Sequence, residues 1–553
     1  MPRFDVDGFR GIDTRTGQYA ESLPAFVSAV NLDVRSGGVV ARRPAMRKLY
    51  DLHAESVGLY ARGGYLRAVV PGGRGYHALA PSGIIYDGIG NTGAFVASIT
   101  ISNGGSSYET APEVTIAGGN PDEPAEAEAV VVGGVVTAIN LLSAGAGYRS
   151  TPTVVISGGG GSGAAASAVL TSAGAYATGA LSRLLSADTY GGSALFGAYA
   201  YVVVQLANGQ VEHHWIKDPP ADASTPIASR ITLPFQPTGP ALKLENKVWT
   251  FDGFNVRFSS SEFGPDNWTE TGDAGFLPVS NHIAGNRVLV GLSHHRGRMA
   301  VLFGDAIQLW NVDEDPNVHE IEAVLNGPGA LLPGSCVNVM GDLVYLSRGG
   351  FRNLATVSLT GESNESEQLG TPIASLTRAI TGATPATALW SQSRSQYLCA
   401  VGTTVYVLTF LPGERLIAWT TWELPVAVEH LVEQDGVLYA RAGDTLYDFT
   451  DDLDADFDGN PVAWSLETRP WTLGGAPNRY KDLRWLVYRA LGASTWTPIV
   501  DGTALNPRRL PSSPNAPRRV PLQGLARQVA FRITGTAAFR LDGLGVEFEL
   551  AGR

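Results

Sequence analysis

The stretch Ile99–Asn120, ITISNGGSSYETAPEVTIAGGN, recurs forty residues later as Ile139–Gly160, INLLSAGAGYRSTPTVVISGGG. Each copy contains a glycine-rich turn, a tyrosine, a proline and a short strand that ends in glycines. The corresponding residues are Tyr108 and Tyr148, and Pro112 and Pro152. Tandem units of this kind build extended β surface by stacking, and these copies contain no group suited to catalysis. The pair predicts a small β repeat module in a protein that assembles or binds.

The rest of the chain also has the composition of a β protein. Its 553 residues include 66 glycines and 33 prolines, and hydrophobic residues make up 44%. Short apolar runs between turn-forming residues, without long amphipathic stretches, predict an all-β fold. The 11 Trp, 19 Tyr and 19 Phe residues argue against disorder, because a disordered chain has few aromatics. Since one core does not grow to this length, we expect about two to four domains.

The formal net charge of −12 disfavours tight nucleic-acid binding, because a surface that grips phosphates is basic. An acidic wall instead lets DNA pass without sticking. Cys336 and Cys399 lie in apolar, strand-like contexts and are expected to be buried free thiols. The N-terminal sequence lacks the apolar region of a signal peptide, and no window is apolar for the length of a membrane helix. We therefore expect a protein that is made in a cytoplasm.

Short strands joined by two- or three-residue polar turns recur between about residues 175 and 450, and these hairpins predict a β-propeller built from small meanders. Ile373–Ile380 has helical spacing and predicts one connector helix. After residue 460 the alternation runs over longer segments, as in a β-sandwich. The predicted domains are the N-terminal part of the propeller or a platform (1–94), the inserted repeat module (95–172), the main β-propeller (173–458) and a C-terminal β-sandwich (459–553).

One segment resembles a metal site. Asp454, Asp456, Asp458 and Gly459 reproduce the D-x-D-x-D-G half of a calcium loop, in which oxygens at alternate positions surround the cation. The twelfth position, which should be a bidentate glutamate, is Ser465. We interpret the segment as an acidic linker and predict no metal or cofactor, with a calcium site as the alternative.

The search for catalytic groups yields one enzymatic alternative. Histidines cluster only as His213–His214 and His294–His295, and adjacent residues on a strand point to opposite faces, which favours surface or strand-edge positions over ligands. No nucleophile elbow or phosphate loop is present. Glu320 and Glu322 alternate on one strand face and could form a glycosidase pair, although no aromatic residue lies beside them. The sequence therefore predicts a protein that is not an enzyme.

Several stretches resemble the tail nozzle proteins of short-tailed bacteriophages, the tail tubular protein B family. NLDVRSGGVVARRP, from Asn31 to Pro44, resembles the opening of that group, with Asn31, Arg42, Arg43 and Pro44 as its marked positions. KVWTFDGFNVRFSSSEFGPDNWTE, from residue 247, matches a strand, a serine-rich turn and a tryptophan. The resemblance continues through WTTWELPVAVEHLVEQDGVLYARAGDTLYDFTD, the acidic linker and ETRPWTLGGAPNRYKDLRWL. The inserted GxGY and P-x-V-x-I units resemble repeats of phage tail, neck and fibre proteins.

The resemblance implies a β-propeller protomer in a homo-oligomer, six copies forming a ring below an adaptor or portal complex. It also implies a channel through which DNA passes without sequence-specific contacts, and attachment surfaces for tail fibres or tailspikes. The location would be the virion tail, assembled in the host cytoplasm. Acidic residues of the long loops are predicted to face the channel, because they repel phosphates; they are Asp313, Glu314, Asp315 and Glu362. A propeller that binds glycans or host receptors, and a propeller glycoside hydrolase, are the alternatives.

Overall fold

The computed structural model describes the chain apart from residues 1–2, 7, 16–24, 53–55, 63–64, 72–75, 78–83, 90–95, 122–123, 144–147, 149, 171–179, 191–198, 218–227, 270–271, 284, 286–287, 328, 356–368, 415, 474–478 and 551–553. It divides into two compact units. Met1–Asp51, Ile283–Asn311 and Glu320–Arg553 form the first unit, and Leu52–His282 and Val312–His319 form the second. Each unit has its own sheets and hydrophobic clusters.

Short strands occupy the N-terminal segment of the first unit. They are β1 (Arg3–Val6), β2 (Phe26–Val30), β3 (Leu32–Arg35), β4 (Val39–Arg42) and β5 (Ala45–Asp51). A 3-10 turn, Ser36–Gly38, joins β3 to β4. Its Gly37 and Gly38 have φ angles of 73° and 69°, a left-handed conformation that glycine adopts without steric cost.

The second unit contains four-stranded sheets and the repeat module. Its strands are β6 (Gly58–Arg62), β7 (Tyr65–Pro71), β8 (Tyr76–His77), β9 (Ile85–Ile89), β10 (Val96–Ser106), β11 (Glu113–Ala117), β12 (Glu126–Val132), β13 (Val135–Ser143), β14 (Thr153–Ser157), β15 (Ser162–Leu170), β16 (Leu181–Tyr190), β17 (Tyr199–Leu206), β18 (Val211–Lys217), β19 (Ala228–Arg230), β20 (Leu242–Leu244), β21 (Lys247–Phe251), β22 (Val256–Phe258) and β23 (Gly275–Leu277). Three sheets are formed by β6–β9, β16–β19 and β20–β23. The last two are antiparallel meanders, whereas β7 and β9 pair in parallel.

The first unit continues with further meanders. Their strands are β24 (Leu289–His295), β25 (Arg298–Phe303), β26 (Ala306–Asn311), β27 (Glu320–Asn326), β28 (Val337–Val339), β29 (Asp342–Ser347), β30 (Gly350–Asn353), β31 (Ala386–Ser391), β32 (Gln396–Val401), β33 (Thr404–Leu411), β34 (Leu416–Glu423), β35 (His430–Gln434), β36 (Val437–Ala442) and β37 (Thr445–Thr450). Strand β5, from the N-terminal segment, completes the sheet of β35–β37. Outside the repeat module and the C-terminal strands, seven sheets or sheet segments of three or four strands therefore occur in the described residues.

The predicted all-β fold is confirmed, and these small sheets have the meander pattern of β-propeller blades. Their tight hairpins explain the pattern. At Arg296–Gly297 and Asp435–Gly436 both residues have positive φ, the geometry that matches the twist of the flanking strands. The same geometry at Glu245–Asn246 forms the turn between β20 and β21. That turn contains no glycine, so composition did not mark it.

The strands that follow residue 459 share their two sheets with strands of the N-terminal segment. The remaining strands are β38 (Trp464–Thr468), β39 (Lys481–Leu491), β40 (Ser494–Val500), β41 (Thr503–Ala504), β42 (Arg508–Leu510), β43 (Ser513–Ala526), β44 (Val529–Gly535) and β45 (Arg540–Leu550). One sheet has the order β3-β4-β45-β39-β43 with β1 also on β45, and the other contains β2-β38-β44-β40. Strands from 1–94 are thus part of the sandwich, because apolar residues of β2 to β4 share one core with those of β38 to β45.

The connector helix is shorter than predicted. α1 spans Ala374–Thr377 and follows a 3-10 turn, Thr371–Ile373. Further 3-10 turns are Val279–His282, Pro316–Val318, Pro333–Ser335 and Pro412–Glu414. In the described part of the chain no helix is long and apolar enough to cross a membrane.

The repeat module is an intertwined pair. Strands β11 and β14 pair antiparallel, and Thr115 lies opposite Val155, its own counterpart in the other copy. The outer strands are exchanged, since β10 of the first copy pairs with β15 of the second, and β12 pairs with β13. Within the second copy β14 also pairs with β15, but the other pairings all join one copy to the other, so the two sequence repeats act as halves of one folded unit.

The repeated tyrosines lock the halves together. The Tyr108 hydroxyl accepts a hydrogen bond from Ala164 N at 3.3 Å, and the Tyr148 hydroxyl accepts one from Ala125 N at 2.7 Å. Each bond joins one copy to the other, and both rings are buried. Pro112 and Pro152 are buried as well. The tyrosines that recur in the two copies of the sequence repeat therefore make contacts between the copies.

Gly159→Ala is expected to destabilise the repeat module more than Gly158→Ala. Both glycines have positive φ, which costs an alanine about 1 kcal/mol. A Cβ at Gly159 would lie 2.6 Å from Thr110 O, whereas a Cβ at Gly158 meets nothing within 4 Å. We expect about 1–3 kcal/mol of additional destabilisation at Gly159. Hydrogen exchange of amides in residues 96–170 measures the difference, and equal protection in the two variants would contradict the proposed packing.

Candidate functional site

The arginine pair of the N-terminal motif meets the acidic linker in the first unit. Arg43 forms a bidentate ion pair with Asp456, at 2.6 Å from Nη2 to Oδ2 and 3.0 Å from Nη1 to Oδ1. Its remaining N–H groups donate to Asn31 Oδ1 at 2.8 Å, Pro44 O at 2.8 Å and Glu423 O at 3.1 Å. A guanidinium has five N–H donors, and all five are used. The side chain is 1% exposed, so the guanidinium is shielded from solvent.

Asn31 organises the opposite side of this cluster. Its Oδ1 accepts from Glu423 N at 2.7 Å, and its Nδ2 donates to Ala463 O at 2.7 Å. The residue has a φ of 57°, a left-handed conformation that asparagine tolerates better than other non-glycine residues. Asn31 therefore holds together β34, the segment before β38 and the turn between β2 and β3.

Arg42 makes a second contact with the same linker. Its Nη1 lies 2.6 Å from Asp454 Oδ1, and its Nη2 donates to Leu453 O at 2.6 Å. Asp454 Oδ1 also accepts from Ala538 N at 3.0 Å, which attaches the linker to the sandwich. The predicted residues Asn31, Arg42, Arg43 and Pro44 thus come together with two of the three aspartates. We call this set, with Asp454 and Asp456, the arginine–aspartate cluster.

The aspartates do not form a calcium loop. Arg42 and Arg43 bind the carboxylates of Asp454 and Asp456, and Asp456 Oδ1 also accepts from Met46 N at 2.8 Å. Asp458 bonds instead to Asn460, its Oδ1 accepting from the backbone N at 3.0 Å. Within the described ranges no three acidic, histidine or cysteine side chains converge as metal ligands. The cations that the carboxylates bind are the two guanidinium groups.

The predicted channel residues are exposed where the structure describes them. Asp313, Glu314 and Asp315 lie in the loop before the 3-10 turn Pro316–Val318. Asp315 caps this turn by accepting from Asn317 N at 2.9 Å, and Glu314 accepts from Asn246 Nδ2. Glu362 lies outside the described residues. Their orientation toward a channel stays a prediction.

Glu320 and Glu322, the glycosidase candidates, each have a different protein partner. Glu322 forms an ion pair with Arg298, and Glu320 accepts a bond from Asn311 Nδ2 at 3.4 Å. Both lie on β27, the last strand of its sheet. Burial raises the pKa of Cys336 and of Cys399 to about 12, so neither thiol is ionised at neutral pH.

The serine-rich turn of the second unit holds a carboxylate. Asp273 accepts from Ser261 N at 3.0 Å and from the hydroxyls of Ser260 and Ser261, and it pairs with the fully buried Lys247. Burial by itself raises the pKa of Asp273, but the bonds from Lys247 and the serines outweigh it and hold that pKa well below its usual range. The cluster joins β21 to the loop before β23, and it explains why this stretch needs serines.

The histidines of β18 are buried, which contradicts the expectation of surface positions. His213 Nδ1 lies 2.8 Å from the Tyr201 hydroxyl, and its ring packs edge-on against Trp268. His214 Nε2 lies 3.5 Å from Glu212. Burial lowers the pKa of both rings, that of His213 to about 3. Strand β18 is thus covered on both faces, a property that adjacent histidines cannot reveal from sequence.

Comparisons with known proteins give only distant structural likeness. No family model and no curated protein matches the chain. The computationally designed Ika8 protein is similar with a TM-score of 0.33 at 11% identity, over 73% of this chain and 99% of that one. The WD40 β-propeller domain of Doa1 has a TM-score of 0.29 at 10% identity, over 65% and 97%. An exo-β-1,3-galactanase from Phanerochaete chrysosporium has 0.20 at 10%, over 65% and 95%. TM-scores of this size carry no argument about function.

Arg43→Ala is expected to destabilise the first unit by about 3–5 kcal/mol, because it leaves the buried Asp456 carboxylate without its cation. Arg35→Ala is the matched control. Arg35 pairs with Asp451 at 3.1 Å on the surface, where the loss is at most about 1 kcal/mol. Urea unfolding followed by tryptophan fluorescence measures both. Equal midpoints for the two variants would show that the buried pair does not stabilise the fold.

Acid is expected to destabilise the second unit through His213. The ring is neutral in the fold because its pKa is lowered to about 3, while the unfolded chain binds a proton below pH ~6.5. Its stabilising contribution is therefore complete above pH ~6.5 and is lost as the pH falls toward 3, with a slope of at most ~1.4 kcal/mol per pH unit. His213→Gln should flatten the pH dependence of the urea midpoint. His282→Gln, at an exposed site, should keep the wild-type slope; equal slopes in both variants would refute the assignment.

Proposed function

We propose that this chain is a structural tail nozzle protein of a short-tailed bacteriophage. In this proposal, copies of the chain form a ring, six in number by the family resemblance, at the tip of the tail. The ring guides DNA during ejection and anchors tail fibres or tailspikes. The observation that supports it best is that Arg42 and Arg43 of the opening motif bond to the acidic linker of the second resembling region, and Asn31 bonds to Ala463 just beyond that linker.

A second contact supports the same conclusion. Arg469, in the ETRP stretch, is buried and donates to Asp13 O at 3.0 and 2.7 Å. It also pairs with the Asp13 carboxylate at 3.0 Å. The segments that carry the resemblance are therefore the ones that fix the N-terminal region to the C-terminal strands. In a channel subunit these contacts would keep the protomer closed while DNA moves past it.

The polar clusters of the described residues suit a structural role. Asp456 of the arginine–aspartate cluster and Asp273 are each held by a buried cation and by several internal hydrogen bonds, an arrangement that suits a role in holding the fold. The repeat module adds exposed apolar strand residues, which favour contact with another protein. They include Val132, Leu142, Val155 and Val169. This module is the proposed contact with a fibre or adaptor protein.

Reversing the charge of the acidic loop should slow DNA ejection. Asp313→Lys combined with Glu314→Lys replaces a repulsive surface with one that attracts phosphates, so we expect slower ejection at low salt and recovery at high salt. Glu126→Lys with Glu128→Lys is the control, since it makes the same charge change on an exposed strand of the repeat module. Ejection kinetics of virions that carry each variant measure the effect. Unchanged kinetics at every salt concentration would refute the channel position of the loop.

Negative-stain images of the purified chain, with and without an adaptor protein, test the function itself. Six-fold rings are the expected result in these images. In virions, the protein is expected to localise to the tail. A monomer that binds glycans on an array would instead support the receptor-binding alternative, and turnover of a glycoside would support the hydrolase.

A further inference from the structure

The C-terminal sandwich carries a concentrated positive charge in an acidic chain. Residues 502–541 contain seven arginines, no lysine and no acidic residue. The remainder of the chain has 33 basic and 52 acidic side chains, which gives it a net charge of −19. Such a separation of charge within one chain indicates an electrostatic contact with a partner.

The structure brings four of these arginines to one edge of the sandwich. Arg508 and Arg509 lie on β42 and Arg518 and Arg519 on β43, and all four are exposed. In the described sheets β42 pairs with β40 alone and β43 with β39 alone, so both are edge strands. Arg508 Nη1 donates to Pro521 O at 2.7 Å, which joins the two edges. We call this surface, made of the four arginines, the arginine edge.

The arginines of this edge keep most of their charge available. Arg519 pairs with Glu547 at 2.7 Å, yet its side chain remains 62% exposed. The side chains of Arg509 and Arg518 form no hydrogen bond or ion pair with any residue that the structure describes. Their guanidinium groups, which present planar forks of donors, suit carboxylates of a partner. Leu525, on the same strand β43, is 59% exposed and adds apolar area.

The backbone of strand β43 is not suited to pairing with a strand of a neighbouring molecule. Pro514, Pro517 and Pro521 lack N–H donors, and the pairing of β43 with β39 shifts register between Arg518 and Ser513. A strand with these interruptions cannot extend its sheet into a neighbour. The partner must therefore be recognised by side chains, that is, by charge and by the exposed leucine.

We propose that the arginine edge docks on an acidic surface of a second copy of this chain. This inference rests on the proposed ring, in which a patch of one copy contacts a different patch of the next. Charge complementarity favours this partner, because the remainder of each copy carries the opposite charge in excess. Duplex DNA is the less favoured partner, since its phosphates would approach a chain whose other residues repel them. The absence of lysine also fits a protein interface, where arginine is enriched and lysine depleted.

The test compares the full-length wild type with Arg509→Glu combined with Arg518→Glu. These side chains make no internal bonds, so circular dichroism should show an unchanged fold. The control is Arg348→Glu with Arg378→Glu, two exposed arginines with the same total charge change. Sedimentation velocity at about 0.05 and 0.5 M salt follows assembly. We expect assembly of the edge variant to weaken about tenfold or more at low salt and to lose its salt dependence, while the control matches the wild type.

The outcomes separate the inference from the proposed function. Rings of the edge variant with wild-type stability and salt dependence overturn the inference and leave the nozzle proposal standing. A wild type that forms no ring at any soluble concentration, alone or with its adaptor, overturns the nozzle proposal itself. Binding to a fluorescent DNA duplex is measured in parallel. If the edge variant loses DNA binding but assembles normally, the arginine edge is a phosphate-binding surface and the contact between copies is refuted.

Discussion

The Arg43–Asp456 pair is the interaction on which the first unit depends. It lies where β34, the turn between β2 and β3, and the linker before β38 meet, and it uses every donor of the guanidinium. A buried charge without its partner is costly, so these three segments are held in one arrangement. The buried polar groups of this cluster have a structural role. They are the means by which residues far apart in sequence are kept together.

The N-terminal strands are also held by pairing with segments that are distant in sequence. Strand β5 completes the sheet of β35–β37, and β1 to β4 enter the sheets of the sandwich. A β-sheet edge that stays unpaired exposes backbone donors and acceptors, and pairing with a distant segment removes that exposure. The N-terminal segment thus contributes strands to two places, β5 to a blade-like sheet and β1 to β4 to the sandwich. In the acidic linker between these regions, Arg42 and Arg43 supply the counter-charge of Asp454 and Asp456.

The repeat module follows a different principle. Its two copies exchange strands, and each buried tyrosine bonds to the opposite copy. Stability then depends on the pair, and a single copy would leave its tyrosine hydroxyl and strand edges without partners. The exposed apolar residues of this module and the arginines of the sandwich edge are surfaces that the internal packing does not explain. Both sets of side chains are exposed, which leaves them available to a partner.

Much of this architecture was determined by the sequence. Glycine and polar turns at short spacing specify hairpins, as at Asp435–Gly436, because few residues adopt positive φ. The tandem repeat specified a β module for the same local reason. The number of blade-like sheets, the exchange of strands and the position of the N-terminal strands were decided by tertiary structure, since strand pairing depends on which distant edges meet. The arginine–aspartate cluster shows the limit most clearly. Asp454, Asp456 and Asp458 have the local pattern of a calcium loop. In the fold, Arg42 and Arg43, from the N-terminal part of the chain, supply the counter-charge of Asp454 and Asp456.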